Sequence, residues 1–230
     1  MRKKYLFFAF SICVVAALFL SYACGEMTRA QFVYEVENVL NEHQAKLHIK
    51  GYSLSYKNND IALHIKLRDG FSQNPPEKQF MIFSSIHRKL RYNLKQDYPY
   101  NYFYQKNISI TAYDDGVDYH FEDTYPNKKL VYMTNGILSI NKKRLTRQEF
   151  LRSPYFADYL EQLKKRKTSS GYPEQEVYEY LLSFHKTLTI NKKERKDMDG
   201  DLVIEVLKDR FDISGKEIAD IFNRWTFYLD

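Results

Sequence analysis

The chain has 230 residues, with 35 Lys and Arg against 29 Asp and Glu, for a formal net charge of +6. Three of those cations are Arg2, Lys3 and Lys4, so residues 5 to 230 carry only +3, too little for a strong nucleic-acid footprint. An apolar fraction of 44% supplies the core of one large or two small domains, and two cysteines exclude a disulfide-rich scaffold.

The first element in chain order is an address. Behind the cationic head, Tyr5 to Ala23 are 19 residues without a charge, followed by Cys24 and Gly25. A basic head, an apolar run and small residues before a processing point are the parts of a secretion signal. Leu20-Ser21-Tyr22-Ala23-Cys24 resembles the lipobox of bacterial lipoproteins, with Ala23 directly before the cysteine. The resemblance covers residues 1–25 and implies that Cys24 receives a diacylglyceryl group, that residues 1–23 are cut away, and that the new amino group is acylated. Cysteine use fits this: Cys13 leaves with the signal, so Cys24 becomes the single thiol of the mature chain and no internal disulfide can form. A bilayer holds one acyl chain marginally and several stably. Two other outcomes stay open. Ser21-Tyr22-Ala23 also has the small-x-small pattern of ordinary signal peptidase, which would release a soluble chain, and 19 uncharged residues sit at the lower edge of a bilayer span, which would leave an uncut anchor. In all three, the basic head stays inside and the body lies outside. The expected partner is therefore the membrane through Cys24, with a protein or wall polymer beyond it and no nucleic acid.

After the signal, Thr28 and Gln31 make a capping-box signature, and Phe32, Val36, Leu40, His43 and Leu47 share one side of a helix over about 28–46. Ile61, Leu63, Ile65 and Leu67 alternate with polar residues, which predicts a strand with one buried face. Its hairpin partner, 47–56, switches apolar parity at Gly51, so a bulge is expected near Lys50-Gly51, with the turn at Lys57-Asn58-Asn59-Asp60. A second helix is expected over about 77–95, with Phe83, Ile86, Leu90 and Leu94 in the core and Arg88, Arg91 and Lys95 on a wet face. Tyr98, Tyr100, Tyr102 and Tyr104 then alternate along an extended stretch, and their rings would form either a weak sugar-stacking platform or part of the core. The next hairpin is expected to pair Ala112 with Val117, Ile110 with Tyr119 and Ile108 with Phe121 around a four-residue turn, 113–116. A further pair is expected at 130–133 and 137–140.

From Thr146 the pattern becomes helical. Thr146 and Glu149 form a capping box, Ser153-Pro154 starts a short helix to about Lys165, and Thr168-Ser169-Ser170-Gly171 has the composition of a linker. Helices follow over about 173–187, 202–211 and 215–228, the last with Ile218, Phe222, Trp225 and Leu229 on one stripe and Ser214 and Glu217 as its cap. The expected architecture is α+β: a signal over 1–23, then an antiparallel sheet of hairpins with two packing helices over 24–145, then a helical region over 146–230.

No chemistry-bearing motif accompanies these elements. Asp197, Asp199 and Asp201 alternate, but the sixth and twelfth positions of a calcium loop would be Leu202 and Lys208, so a solvated turn at Gly200 is expected instead. His43, His48, His64, His87, His120 and His185 show no metal-spaced pair, and His64 and His120 fall on the polar parity of their strands, so most are expected at the surface. There is no Gly-x-Ser-x-Gly elbow, Cys-x-x-Cys pair or phosphate-cradling glycine loop, so no cofactor or metal is implied. The expected role is a lipid-anchored, non-catalytic binding or assembly component outside the cytoplasm. The alternatives are a module for cell-wall carbohydrate, and a hydrolase in which at least two of Asp114, Asp118, His120 and Glu122 would have to converge in one pocket.

Overall fold

A computed structural model describes residues 28–47, 49–58, 60–97, 103, 106–123, 135–190 and 198–225. Cys24 and the stretch of Tyr98, Tyr100, Tyr102 and Tyr104 lie outside the described residues, as do 130–133. The chain divides into two compact units, Met1–Thr146 and Arg147–Asp230, and the whole is α+β.

In the first unit, α1 (Arg29–Leu47) begins with the capping box read from the sequence: Gln31 N donates to Thr28 Oγ1 at 3.2 Å, and Thr28 N donates to Gln31 Oε1 at 2.7 Å. Its buried side is Phe32, Val36, Val39, Leu40 and His43. Strands β1 (Ile49–Lys57) and β2 (Asp60–Leu67) form the expected hairpin, with the register shift between Ile49 and Gly51 where the apolar parity breaks. A short 3-10 turn, Phe71–Gln73, leads into α2 (Pro76–Asp97), whose Phe83, Ile86, Leu90 and Leu94 are all buried.

Helix α2 is long enough to carry the chain back to the start of the sheet, so β3 (Asn107–Asp114) lies parallel to β2, with Ile61 opposite Ile108 and Leu63 opposite Ile110. This parallel joint was not expected from a sheet of hairpins. The remaining pairs are antiparallel: β4 (Val117–Glu122), β5 (Ile137–Ile140) and β6 (Lys143–Thr146) complete a six-stranded sheet in sequential order. Both helices cover the same face. Phe32 of α1 meets Tyr56, while Phe80 and Phe83 of α2 meet Phe121 and Tyr119, with ring centroids 5.7 to 6.4 Å apart.

Two hairpins correct the sequence expectation. The β3–β4 turn has two residues, Asp115 and Gly116, at φ 44° and 78°, so Ala112 pairs with Tyr119 and Ile110 with Phe121, two positions from the expected register. Two successive residues with positive φ make the turn whose twist matches the strands, and Asp-Gly is a favoured pair for it. The shift preserves side-chain parity, which is why apolar matching alone could not exclude the looser turn, and it places Asp114 in the core at 2% exposure. Strand β5 pairs with β6 around Asn141-Lys142, at φ 46° and 71°.

The second unit is helical: α3 (Arg147–Leu151), α4 (Pro154–Lys164), α5 (Glu174–Ile190), α6 (Met198–Phe211) and α7 (Gly215–Trp225). Ser153 caps α4 by accepting from Phe156 N, and Ser214 Oγ accepts from Glu217 N at the start of α7. Trp225 stacks on Tyr178 at 5.6 Å in a core with Leu207, Phe211, Ile218 and Ile221. The carboxylate of Glu174 joins three segments of this unit. It accepts from Arg166 Nε at 3.2 Å and, through both oxygens, from Arg224 Nε at 3.1 Å and Nη2 at 2.7 Å. Thr168–Gly171 is not a linker. Thr168 is buried and closes a tight turn onto Tyr172, Ser169 donates twice to Glu217, and Ser170 donates to Phe211 O. Gly200 lies inside α6 rather than at a solvated turn.

Gly136 gives a direct test of the sheet's packing. A Cβ there would meet Phe121 Cζ at 2.7 Å, and that ring is held by Phe80, whereas a Cβ at Gly215 meets only an ordinary contact at 3.5 Å. Gly136→Ala is therefore expected to cost about 1–3 kcal/mol of stability, and Gly215→Ala to change it by less than about 1 kcal/mol. Denaturant midpoints of the two variants check the contrast.

Candidate functional site

Because side chains alternate along a strand, burying Ile61, Leu63 and Ile65 under the helices turns their neighbours to the other face. There, side chains from all six strands fall into register. Ser53 lies opposite His64, His64 opposite Thr111, Thr111 opposite His120, His120 opposite Ser139, and Ser139 opposite Arg144. The row is polar from end to end. Within it His64 is fixed: Ser55 Oγ lies 2.9 Å from its Nε2 and Thr111 Oγ1 lies 2.6 Å from its Nδ1. An open, shallow depression runs over this face, lined among others by His64, Thr111, Tyr113, His120 and Lys142. Tyr113 is 57% exposed, and its hydroxyl accepts from Gly116 N at 3.1 Å, so the ring is held over the hairpin turn while its surface stays available.

Ser55 and His64 are spaced as a nucleophile and a base, but the group behind the ring is the neutral Thr111 hydroxyl, which cannot stabilise an imidazolium as a carboxylate would. The four residues considered for hydrolysis do not converge. Asp114 faces the core, while Asp118, His120 and Glu122 stand along one open strand, with His120 Nε2 3.6 Å from Glu122 Oε2. Among the described residues, no group of three or more His, Cys, Asp and Glu is arranged to hold a metal ion.

Two buried polar clusters sit on the core side. In the first, Asp114 Oδ2 accepts from Ser72 N at 2.6 Å, and Gln79 Nε2 donates to Phe71 O at 3.2 Å and to the Tyr119 hydroxyl at 3.3 Å. The cluster fastens the 3-10 turn to the end of β3. Burial, reinforced by the charge of Asp114, pushes the Tyr119 hydroxyl up from its ordinary 10 to about 12. In the second, His87 Nε2 donates to Ile108 O at 3.0 Å and its Nδ1 lies 3.3 Å from Asp123 Oδ2, with both side chains fully buried. Burial pushes the His87 imidazole below its ordinary value, opposed by Asp123 and aided by the charge of Arg91. Arg91 is 4% exposed and belongs to this cluster rather than to a wet face. His43 is also buried, between Val39 O and Ser85 Oγ, so His43 and His87 are structural, whereas His64 and His120 hold the outer-face positions expected of them.

Sequence parity placed His64 and His120 on the polar side of their strands but missed Thr111, Tyr113, Ser139 and Arg144. Their signal exists only once strand order and register bring separate segments side by side. No family model matches this chain, nor does any curated protein or solved structure. Among the described residues, no helix is long and apolar enough to cross a membrane.

The raised Tyr119 hydroxyl sets an alkaline limit. A tyrosine that ionises near 10 when unfolded and near 12 when folded leaves stability intact below pH 10, and that stability is lost as pH rises from 10 to 12. Tyr52, pushed up to about 12 by burial and Glu37, adds to the same window. Denaturant unfolding measured at intervals from pH 9 to 12 is expected to show this fall, with a shallower slope in Tyr119→Phe.

Proposed function

We propose that this chain is a membrane-anchored extracytoplasmic lipoprotein whose folded body is a non-catalytic binding or assembly component. Cys24 carries the anchoring part of this reading: it follows an uncharged run behind a basic head and is the one thiol left once residues 1–23 are removed. An exported domain without disulfides has little other use for a single cysteine at that boundary. The open sheet face supports the binding part. It presents hydroxyls and imidazoles from β1 to β5, with Arg144 of β6 beside them, over a broad open surface, whereas small-molecule sites are typically concave and enclosing. Such a face suits an extended, hydrogen-bonding partner such as a protein strand or a wall polymer.

A second reading, a module for cell-wall carbohydrate, is favoured by Tyr113. Its exposed ring, held by the Gly116 amide, stands among hydroxyl and imidazole groups that can pair with sugar hydroxyls. Tyr98, Tyr100, Tyr102 and Tyr104, the other aromatic residues of this reading, lie outside the described residues.

The anchor is tested by intact mass of the membrane-extracted protein. The expected result is a chain beginning at Cys24 with added acyl mass, and Cys24→Ser is expected to abolish that mass and release the protein from the membrane fraction. A native chain without acyl mass overturns the reading. For the face, His64→Ala and Tyr113→Ala are each expected to weaken retention on wall fragments about tenfold, the loss of roughly 1.4 kcal/mol that one good polar or stacking contact supplies. Unchanged retention removes the carbohydrate reading.

A further inference from the structure

The sheet ends in β1 on one side and β6 on the other, and the two edges differ. Strand β6 has four residues, Lys143 and Arg144 among them, and a short cationic edge resists pairing with another chain. Strand β1 has nine residues, and its bulge is confined to the stretch between Ile49 and Gly51. Tyr52-Ser53-Leu54-Ser55-Tyr56 is therefore a regular edge with no charge and no proline. The turn decides which backbone groups that edge offers. Lys57 pairs with Asp60 across two residues, so these two exchange both hydrogen bonds, and at every second position Ser55 and Ser53 bond to β2 in the same way. The N–H and C=O groups of Tyr52, Leu54 and Tyr56 consequently point to the open side. The edge is held in shape from behind: Tyr52 donates to Glu37 at 2.8 Å, and Tyr56 lies under Arg29 and against Phe32.

These five residues read the same in both directions, so β1 is complementary to a second copy of itself. An antiparallel copy centred on Leu54 sets Leu54 against Leu54, Tyr52 against Tyr56 and Ser53 against Ser55, and each residue with open backbone groups meets another. Faces match as well. Tyr52, Leu54 and Tyr56 are half-buried on the helix-covered side, where the copy's equivalents complete their cover, while Ser53 and Ser55 are exposed on the outer side. Lys57 falls opposite Gly51, so no two cations oppose each other.

We propose that this chain forms a two-fold dimer by antiparallel pairing of β1 with β1 of a second copy, the axis passing beside Leu54. Three residue pairs supply about six backbone hydrogen bonds, and two six-stranded sheets become one continuous sheet. The axis is perpendicular to that sheet, so both polar rows lie on the same side. They meet where Ser53 of each copy stands beside Ser55 of the other, and Ser55 is the residue bonded to His64. An extended partner on the outer face thus meets a row of twice the length. The pairing does not depend on the anchor at Cys24.

The test uses the full chain extracted in mild detergent. Ser53→Cys and Ser55→Cys, both at exposed positions, are made separately, one of them isotope-labelled, then mixed and oxidised. In the proposed register, positions 53 and 55 of opposite copies are about 4.5 Å apart between Cα atoms, within disulfide reach, whereas 53 lies from 53, and 55 from 55, at about 7–8 Å, beyond it. Disulfide-linked peptides 51–57 that carry one label are expected to exceed each same-variant product at least about tenfold, against about twofold for random collision. Light scattering of the unaltered chain at the same concentration is expected to give a protein mass of two chains. A single-chain mass overturns the dimer. A two-chain mass without the mixed link, or with the three products in random proportion, overturns the β1 pairing.

Discussion

Helix α2 packed on one face of the sheet is the contact from which the rest of the first unit follows. Its Phe80 and Phe83 meet Phe121 and Tyr119 edge-on or tilted, and its Ile86, Leu90 and Leu94 are excluded from water. Burying five such side chains supplies on the order of 10 kcal/mol before entropy is counted. Its length also returns the chain to the start of the sheet, which makes β3 parallel to β2 and joins the β1–β2 hairpin to the antiparallel strands β3 to β6 in one six-stranded surface.

The same contact decides where chemistry can occur. With α1 and α2 on one face, every second residue of the strands turns to the other, and most of these are Ser, Thr, His, Tyr and charged side chains, with Ala62 and Ile137 beside them. The polar groups left on the core side are absorbed into bonds that hold the fold: Asp114 on the 3-10 turn, His43 between the two helices, His87 on β3. A buried carboxylate or imidazole is tolerated only when such partners replace water. Titratable groups inside therefore serve stability, while His64 and His120 keep their polar neighbours on the outer face.

The second unit closes in a different way. Its core is assembled around Trp225, Tyr178 and Phe211 and tied by the carboxylate of Glu174, which engages Arg224 through both oxygens and Arg166 through one. Only the carboxylate is buried, while both guanidinium groups reach solvent, so Glu174 depends on them to replace the water it has lost. The serine-rich segment at Thr168 reads as flexible by composition, yet its hydroxyls and amides are spent on Tyr172, Glu217 and Phe211.

Much of this was legible in the residues themselves. Period-two and helical alternation located the strands and helices, the caps at Thr28, Ser153 and Ser214 marked helix starts, and the parity break at Gly51 announced its bulge, because each depends on neighbours within a few positions. The α+β class also follows from sequence order and composition alone. What required the folded chain was everything set between segments distant in sequence: the parallel joint of β2 and β3, the tighter turn at Asp115-Gly116, the burial of Arg91 and Asp114, and the outer row from Ser53 to Arg144. Local preference fixes which way a side chain points relative to its own strand, but strand order, register and the partners of a buried charge are chosen by packing across the whole core, where many individually weak local choices are decided together.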